Sequence, residues 1–290
     1  MKRGLIGLLL LVGLVWAKSG LDYARDLLGM ERYQKYQKFV NSIVSPTDNL
    51  LQVVQKLKQN GLLEMLDHPA TIYPVFTFND NNPRKDTFIL YNVLHSIGYS
   101  FYYPSYISRN LNNYTLQMEI KALQQIDPLA FINEMERWGC RVTDIKKYQN
   151  YLFIMECGPI QIPDAIPLNQ LVGGKGVQNE SGVYWIAIPP NVTPIIKIDS
   201  PVGNRWHPYL AFFDSQLNLL DLRRIDLPQR SVTLQPPAGT RYIKIADMFA
   251  PVNIKKGFLI EANYTIDSNS TAPTTEWGAD QNDSEKGQDE

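Results

Sequence analysis

Cysteine and histidine are the scarce residues of this chain. Two cysteines cannot build a disulfide-dense scaffold or a four-thiolate zinc site, and three histidines leave little for metal chemistry. His68, His95 and His207 share no metal-ligand spacing. An excess of one charge sign is also missing: 28 Lys and Arg face 29 Asp and Glu over 290 residues, for a net charge of −1. Nucleic-acid binders carry a basic excess, so this balance argues against DNA or RNA as a partner. The nucleophile elbow, H-E-x-x-H, the P-loop and the dinucleotide fingerprint are all absent, so no cofactor or catalytic residue is expected. Gly173-Gly174-Lys175-Gly176 lacks the leading Gly and the following Ser/Thr of a phosphate cradle, and reads as a flexible loop. Asn79-Asp80-Asn81-Asn82 lacks the Gly and Glu that a calcium loop needs, and reads as a polar turn.

What is present begins at the amino end. Lys2 and Arg3 precede an apolar run over 4–15, and Val15-Trp16-Ala17 places small residues at the positions a signal peptidase reads. The run is short of the ~20 residues that span a bilayer. Residues 1–17 are therefore expected to be a signal peptide cleaved after Ala17, with an uncleaved anchor as the alternative. The mature chain, without a transmembrane span, would lie in a bacterial periplasm. Export exposes Cys140 and Cys157 to oxidising conditions. Between them lie two strand-like runs around Tyr148-Gln149-Asn150. A tight hairpin centred there sets the cysteines opposite each other and predicts a disulfide; two buried free thiols are the alternative.

The remaining chain has an α+β pattern. Residues 18–70 read as a helical hairpin. Leu21, Ala24, Leu27 and Leu28 begin an apolar stripe that Tyr33, Tyr36, Phe39, Val40 and Ile43 continue at helical spacing, as core packing rather than a ligand groove. Ser45-Pro46-Thr47-Asp48 separates this stripe from a second helix. Residues 71–158 follow the order β-α-β-β-α-β, a ferredoxin-like module. In it Pro74 places the first strand near an edge, Asp86 caps the first helix, residues 99–107 form a strand, 114–122 alternate strictly, and Asp127-Pro128 starts the second helix. A proline-rich linker covers 159–167. Seven short strand candidates follow at 184–188, 193–199, 209–214, 219–225, 231–234, 241–246 and 257–266. They predict an antiparallel β-sandwich over 168–266. Residues 267–290 hold seven acids against Lys286 alone and read as a disordered acidic tail.

Within the sandwich, Val183-Tyr184-Trp185-Ile186-Ala187-Ile188-Pro189, Pro208-Tyr209-Leu210-Ala211-Phe212-Phe213-Asp214 and Ala238-Gly239-Thr240-Arg241-Tyr242-Ile243-Lys244-Ile245 resemble a pre-peptidase C-terminal-type jelly-roll domain. The resemblance implies a noncatalytic accessory module. Some such domains bind calcium or polymers, and no carboxylate cluster supports calcium here. Arg205, Trp206, His207 and Tyr209 combine flat rings with donors, as glycan- or peptide-binding loops do, and are the candidate ligand residues.

Six Asn-x-Ser/Thr sequons are present. Glu261, Asp267 and Asp280 stand two residues before Asn263, Asn269 and Asn282. These three resemble the extended acceptor of bacterial oligosaccharyltransferases, in a stretch expected to be exposed and flexible. The functional expectation is a noncatalytic periplasmic protein acting in assembly or binding with envelope partners. The alternative is a carbohydrate- or peptidoglycan-directed protein, binding or cleaving glycan through the sandwich.

Overall fold

A computed structural model describes residues 18–63, 70–80, 82–122 and 124–266. The expected signal peptide with Ala17, the acidic tail with Asn269 and Asn282, and His68 lie outside the described residues. Among the described residues no helix is long and apolar enough to cross a membrane. The chain divides into two compact units. One holds the residues up to Ala165 together with Phe213–Leu220; the other holds Ile166–Phe212 and the residues from Asp221 onward.

The first unit opens with α1 (Gly20–Leu28), α2 (Met30–Ile43) and α3 (Leu50–Gln59). Ser19 and Asp22 form a capping box on α1, and Asn49 with Gln52 forms another on α3, so the orphan N–H groups of both helices are satisfied locally. The expected continuous stripe breaks between α1 and α2 at Gly29, whose φ of 74° suits a residue without a Cβ. The break turns α2 outward. Of its apolar stripe only Val40 is buried, and Phe39 is 44% exposed, so the aromatic stripe is not core packing as expected.

The strands of this unit are β1 (Ala70–Ile72), β2 (Val75–Phe78), β3 (Tyr102–Arg109), β4 (Tyr114–Ala122), β5 (Cys140–Lys147) and β6 (Tyr151–Cys157); α4 (Pro83–Ser96) and α5 (Pro128–Arg137) cross between them. β1 and β2 both pair antiparallel with β4 and are parted at Tyr73-Pro74. β3 also pairs with β4, and beyond β2 follow β6 and then β5. The expected β-α-β-β-α-β order is present, with a hairpin as its last β element. Because that hairpin doubles back, β6 runs parallel to β2. Pro74 does not mark an edge, since β2 lies between β4 and β6; the proline occupies the break instead. Asn82, not Asp86, caps α4, with Pro83 at the first helical position. One sheet face alternates buried residues and meets the helices. Its centre is a cluster in which Phe131 of α5 stands 5.4 Å from Phe76 and 4.4 Å from Phe153, ring centre to ring centre.

The second unit is a two-sheet sandwich. Its strands are β7 (Ile166–Pro167), β8 (Lys175–Val177), β9 (Tyr184–Ala187), β10 (Val192–Asp199), β11 (Pro208–Phe213), β12 (Leu219–Arg224), β13 (Ser231–Leu234), β14 (Tyr242–Asp247) and β15 (Phe258–Ile266). One sheet has the order β13-β10-β15-β8 and the other β12-β11-β14-β9-β7. Counted from β8, the eight main strands run 1-8-3-6 and 2-7-4-5, the order of a jelly roll with its two interlocked Greek keys. The Gly-Gly-Lys-Gly segment is no flexible loop: Lys175–Val177 is the first of these strands and pairs with β15. Gly257 permits that approach, since a Cβ there would sit 2.0 Å from the Val177 carbonyl oxygen. The inner faces meet in an apolar core that includes Ile186, Ile196, Ile198, Trp206, Phe212, Ile245 and Ile260.

Candidate functional site

Cys140 and Cys157 face each other across the β5–β6 pair and form a disulfide, with Cα atoms 4.0 Å apart. Tyr148 and Asn150 close the turn by a backbone hydrogen bond of 3.1 Å. This pair is structural. It fastens the open end of the hairpin opposite its turn.

The segment expected to carry ligand contacts is built differently. Trp206 is buried in the sandwich core and donates from Nε1 to the Ala246 carbonyl at 3.0 Å. His207 is buried too, stacked edge-on against Phe249 at 4.8 Å. Its backbone N–H donates to Asp247 at 2.7 Å. The same Asp247 carboxylate accepts from the backbone N–H groups of Phe249 and Ala250 and from the Asn253 side chain. Burial would push that carboxyl up, but these donors outweigh it and hold the group below the ordinary carboxylate range. Asp247 is therefore the organiser of a turn. Neither Trp206 nor His207 offers a ring face to solvent, because both serve packing. Arg205 remains exposed, and Tyr209 is half-buried beneath the Arg224 guanidinium, 5.5 Å from its ring centre. The four residues are thus not brought together as one binding surface.

Asn263 corrects another expectation. Its side chain is exposed, but it lies inside β15, opposite Ile195 of β10, and not in a flexible tail. The chain that carries the extended-sequon pattern is regular strand up to Ile266.

A cluster that the sequence did not single out lies at the start of α4. Lys85 pairs with Asp80, and its Nζ is 3.6 Å from Asp86. Asp86 is fully buried, and neither of its carboxyl oxygens has a hydrogen-bond partner of ordinary geometry. Burial pushes its carboxyl up to about 8; the adjacent Asp80 adds to the rise and Lys85 opposes it. The group holds a proton at neutral pH. Its side chain has no exposed surface. Among the described residues no group of three or more His, Cys, Asp or Glu is placed to hold a metal ion.

The open feature of the molecule is β3. It pairs only with β4, so its outer backbone edge is unmatched by any strand among the described residues. Of its residues only Tyr102 is even partly buried; the others are exposed on both faces. Tyr103 and Tyr106 lie opposite Glu119 and Gln117 on the sheet face away from the helices. A hydrogen bond with Glu119 pushes the Tyr103 phenol up. Phe101 at 76% exposure and Leu111 at 89% extend the apolar character beyond both ends of the strand, and Ile107 adds to it at 57%. The hairpin is held in place by Asn110, whose side chain accepts from the backbone N–H groups of Asn112 and Asn113 at 3.0 and 2.8 Å. A register shift between Pro104 and Tyr106 bends the strand. Pro104 is the sequence signal that could have found this edge, since proline inside a strand belongs at an edge or a bulge.

No family model, no curated protein and no solved structure matches this chain.

Proposed function

We propose that the protein is an exported, noncatalytic component of a bacterial envelope complex, and that a partner joins it at β3. The observation that carries this reading is the unmatched, apolar edge of β3. An exposed strand edge offers a row of backbone donors and acceptors, and soluble proteins normally blunt or cover such rows. Partners that add a strand use the backbone for affinity and alternate side chains for specificity. The signal-like residues 1–17 and the Cys140–Cys157 disulfide fit a chain that matures in an oxidising compartment. The glycan-directed alternative loses its principal ring, because Trp206 is sealed in the core.

A photo-crosslinking side chain at Ile107 tests the reading in intact cells of the native source. A discrete adduct from Ile107, with none from the exposed jelly-roll residue Lys197, is expected. Equal labelling at both positions, or none at either, overturns it. The tail sites are a separate part of the same proposal. In a glycosylating host, glycan mass increments should vanish when Asn263, Asn269 and Asn282 are together changed to Gln. Asn263 should contribute least, because its backbone is engaged in β15.

A further inference from the structure

Three loops meet at one end of the jelly roll. Residues 200–207 join β10 to β11, 225–230 join β12 to β13, and 248–257 join β14 to β15. They converge because β10 ends where β13 and β15 begin, with Asp199 opposite Ser231 and Leu259. Backbone hydrogen bonds tie them together. The Ser200 N–H donates to the Arg230 carbonyl, Gln229 to Trp206 and Arg205 to Asn253, each at 2.8 Å, and Met248 donates to His207 at 2.9 Å. The buried Asn204 side chain donates to the Gly257 carbonyl and accepts from the Lys256 N–H. Loops held this way need little further ordering when they meet a ligand.

The scaffold keeps apolar side chains in water. Val202 is 80% exposed, Leu227 71%, and Phe249 and Val252 65% each, so every loop contributes at least one. A single exposed apolar residue is ordinary, but several on one fixed end mark an interaction surface. Cations stand among them. Arg205, Arg230, Lys255 and Lys256 are exposed. Arg230 and Lys256 donate to the backbone carbonyls of Pro201 and Val202, neutral partners that leave their charge in place. Among the described residues no ion pair engages any of the four. The exposed acids nearby are Asp226 and, on the adjoining β8–β9 loop, Glu180. Asp199 is taken up by Lys197 and Ser231, and Asp247 is sealed inside its turn. The acidic residues 267–290 lie outside the described residues, and β15, which leads toward them, leaves this end at Phe258 and finishes with Ile266 beside Val192.

We infer that this end of the jelly roll docks on an anionic phospholipid membrane. Val202, Leu227, Phe249 and Val252 enter the interfacial region, and the four cations meet lipid phosphates. Apolar side chains on separate loops suit a fluid interface, which accepts each one without a matching pocket. Binding of this kind grows with the apolar area buried and with the attraction of basic residues to anionic headgroups. The inference does not depend on β3.

Cosedimentation of the full mature protein with vesicles tests it. Retention on vesicles containing phosphatidylglycerol, weaker retention on phosphatidylcholine alone, and release by added salt are expected. Leu227→Ser and Val252→Ser together should lower retention by about tenfold or more. Arg205→Gln and Lys255→Gln should each lower it by about fivefold. Ile195→Ser and Lys197→Gln, at exposed positions within β10, should leave it unchanged. Circular dichroism checks that each variant folds. If the double serine variant does not, Leu227→Trp should show a blue-shifted emission, relative to the parent protein, when phosphatidylglycerol vesicles are added. Equal retention on both lipids, retention on neither, retention that survives the loop variants, or an unshifted Leu227→Trp emission overturns the inference; a protein captured at these loops without vesicle retention does so as well.

Discussion

The two edges of the first sheet are made from similar hairpins and end in opposite states. At one edge, β5 buries Cys140, Val142 and Ile145, α1 packs against it, and Lys18 ties α1 to Asp144 at 2.5 Å. Its far end is stapled by the disulfide. At the other edge, β3 presents tyrosine, isoleucine and arginine to solvent with nothing described along its outer side. One edge is closed by covalent and packing interactions within the chain. The other keeps its pairing capacity. The lesson is that strand composition does not decide exposure. Both edges are rich in β-formers, and what covers them comes from distant segments.

The largest effect should come from removing what both edges share. Phe153→Ala takes a ring from the cluster with Phe76 and Phe131, and should cost ~3–5 kcal/mol. Denaturant unfolding followed by Trp138, a buried tryptophan of this unit, measures it. A small change would mean the two edges are not held by one core.

The closed edge alone is tested next. Replacing Cys140 and Cys157 by Ser removes a crosslink over a sequence separation of 17. The expected loss is about 3 kcal/mol in the chain-entropy view. It should appear in the same Trp138 transition. An unchanged midpoint would show that α1 and the core suffice to close this edge.

A third experiment uses pH to probe the start of α4. The Asp86 carboxyl is raised from its ordinary 3.8 to about 8 in the folded state, by burial first and by Asp80 second. Across that window the folded chain holds a proton that the unfolded chain has released. Stability should therefore fall as pH rises from near 3.8 to about 8, and level off above it. Asp80 is held below its ordinary range, so its contribution is present at higher pH and is lost only as pH falls below that window. Asp86→Asn should remove the main slope and stabilise the unit by a few kcal/mol at the alkaline end. Melting temperatures of both proteins across the window check this; parallel curves would refute it.

The smallest effect on stability should come from the open edge. Ile107→Lys should change unfolding by less than ~0.5 kcal/mol, because its side chain is more than half exposed. Yet it should abolish partner adducts from a crosslinker at Tyr106. A large loss of stability would mean that β3 supports the fold and is not a free edge.

Local pattern made several elements readable. Strict alternation placed β4 at Tyr114–Ala122, and Asp127-Pro128 placed the start of α5. The seven strand candidates of the sandwich all reappear within one or two residues of their expected bounds. The spacing of Cys140 and Cys157 around a turn sufficed to pair them. Other elements escaped because their state depends on something distant. Lys175–Val177 is too short and glycine-rich to signal a strand, and exists because β15 offers it an edge. Asn82-Pro83 carries the same start signal as Asp127-Pro128, and the helix begins there and not at Asp86. Tyr36 and Phe39 keep helical spacing, but Gly29 turns their helix away from the core.

By itself, then, the chain determined periodicity, caps, turns and the cysteine pairing, since these depend on neighbours a few residues apart. It also determined the absence of the known catalytic and cofactor motifs and the near-balance of charge. Only the tertiary structure decided which aromatic residues are buried. Trp206 and Tyr106 both stand in aromatic segments with polar neighbours, and one fills a core while the other meets water. The same holds for Asp86, an ordinary helix-start acid in the sequence and a buried, protonated one in the fold. Burial is set by what packs over a residue from distant parts of the chain, and the short-range pattern of a sequence does not contain that information.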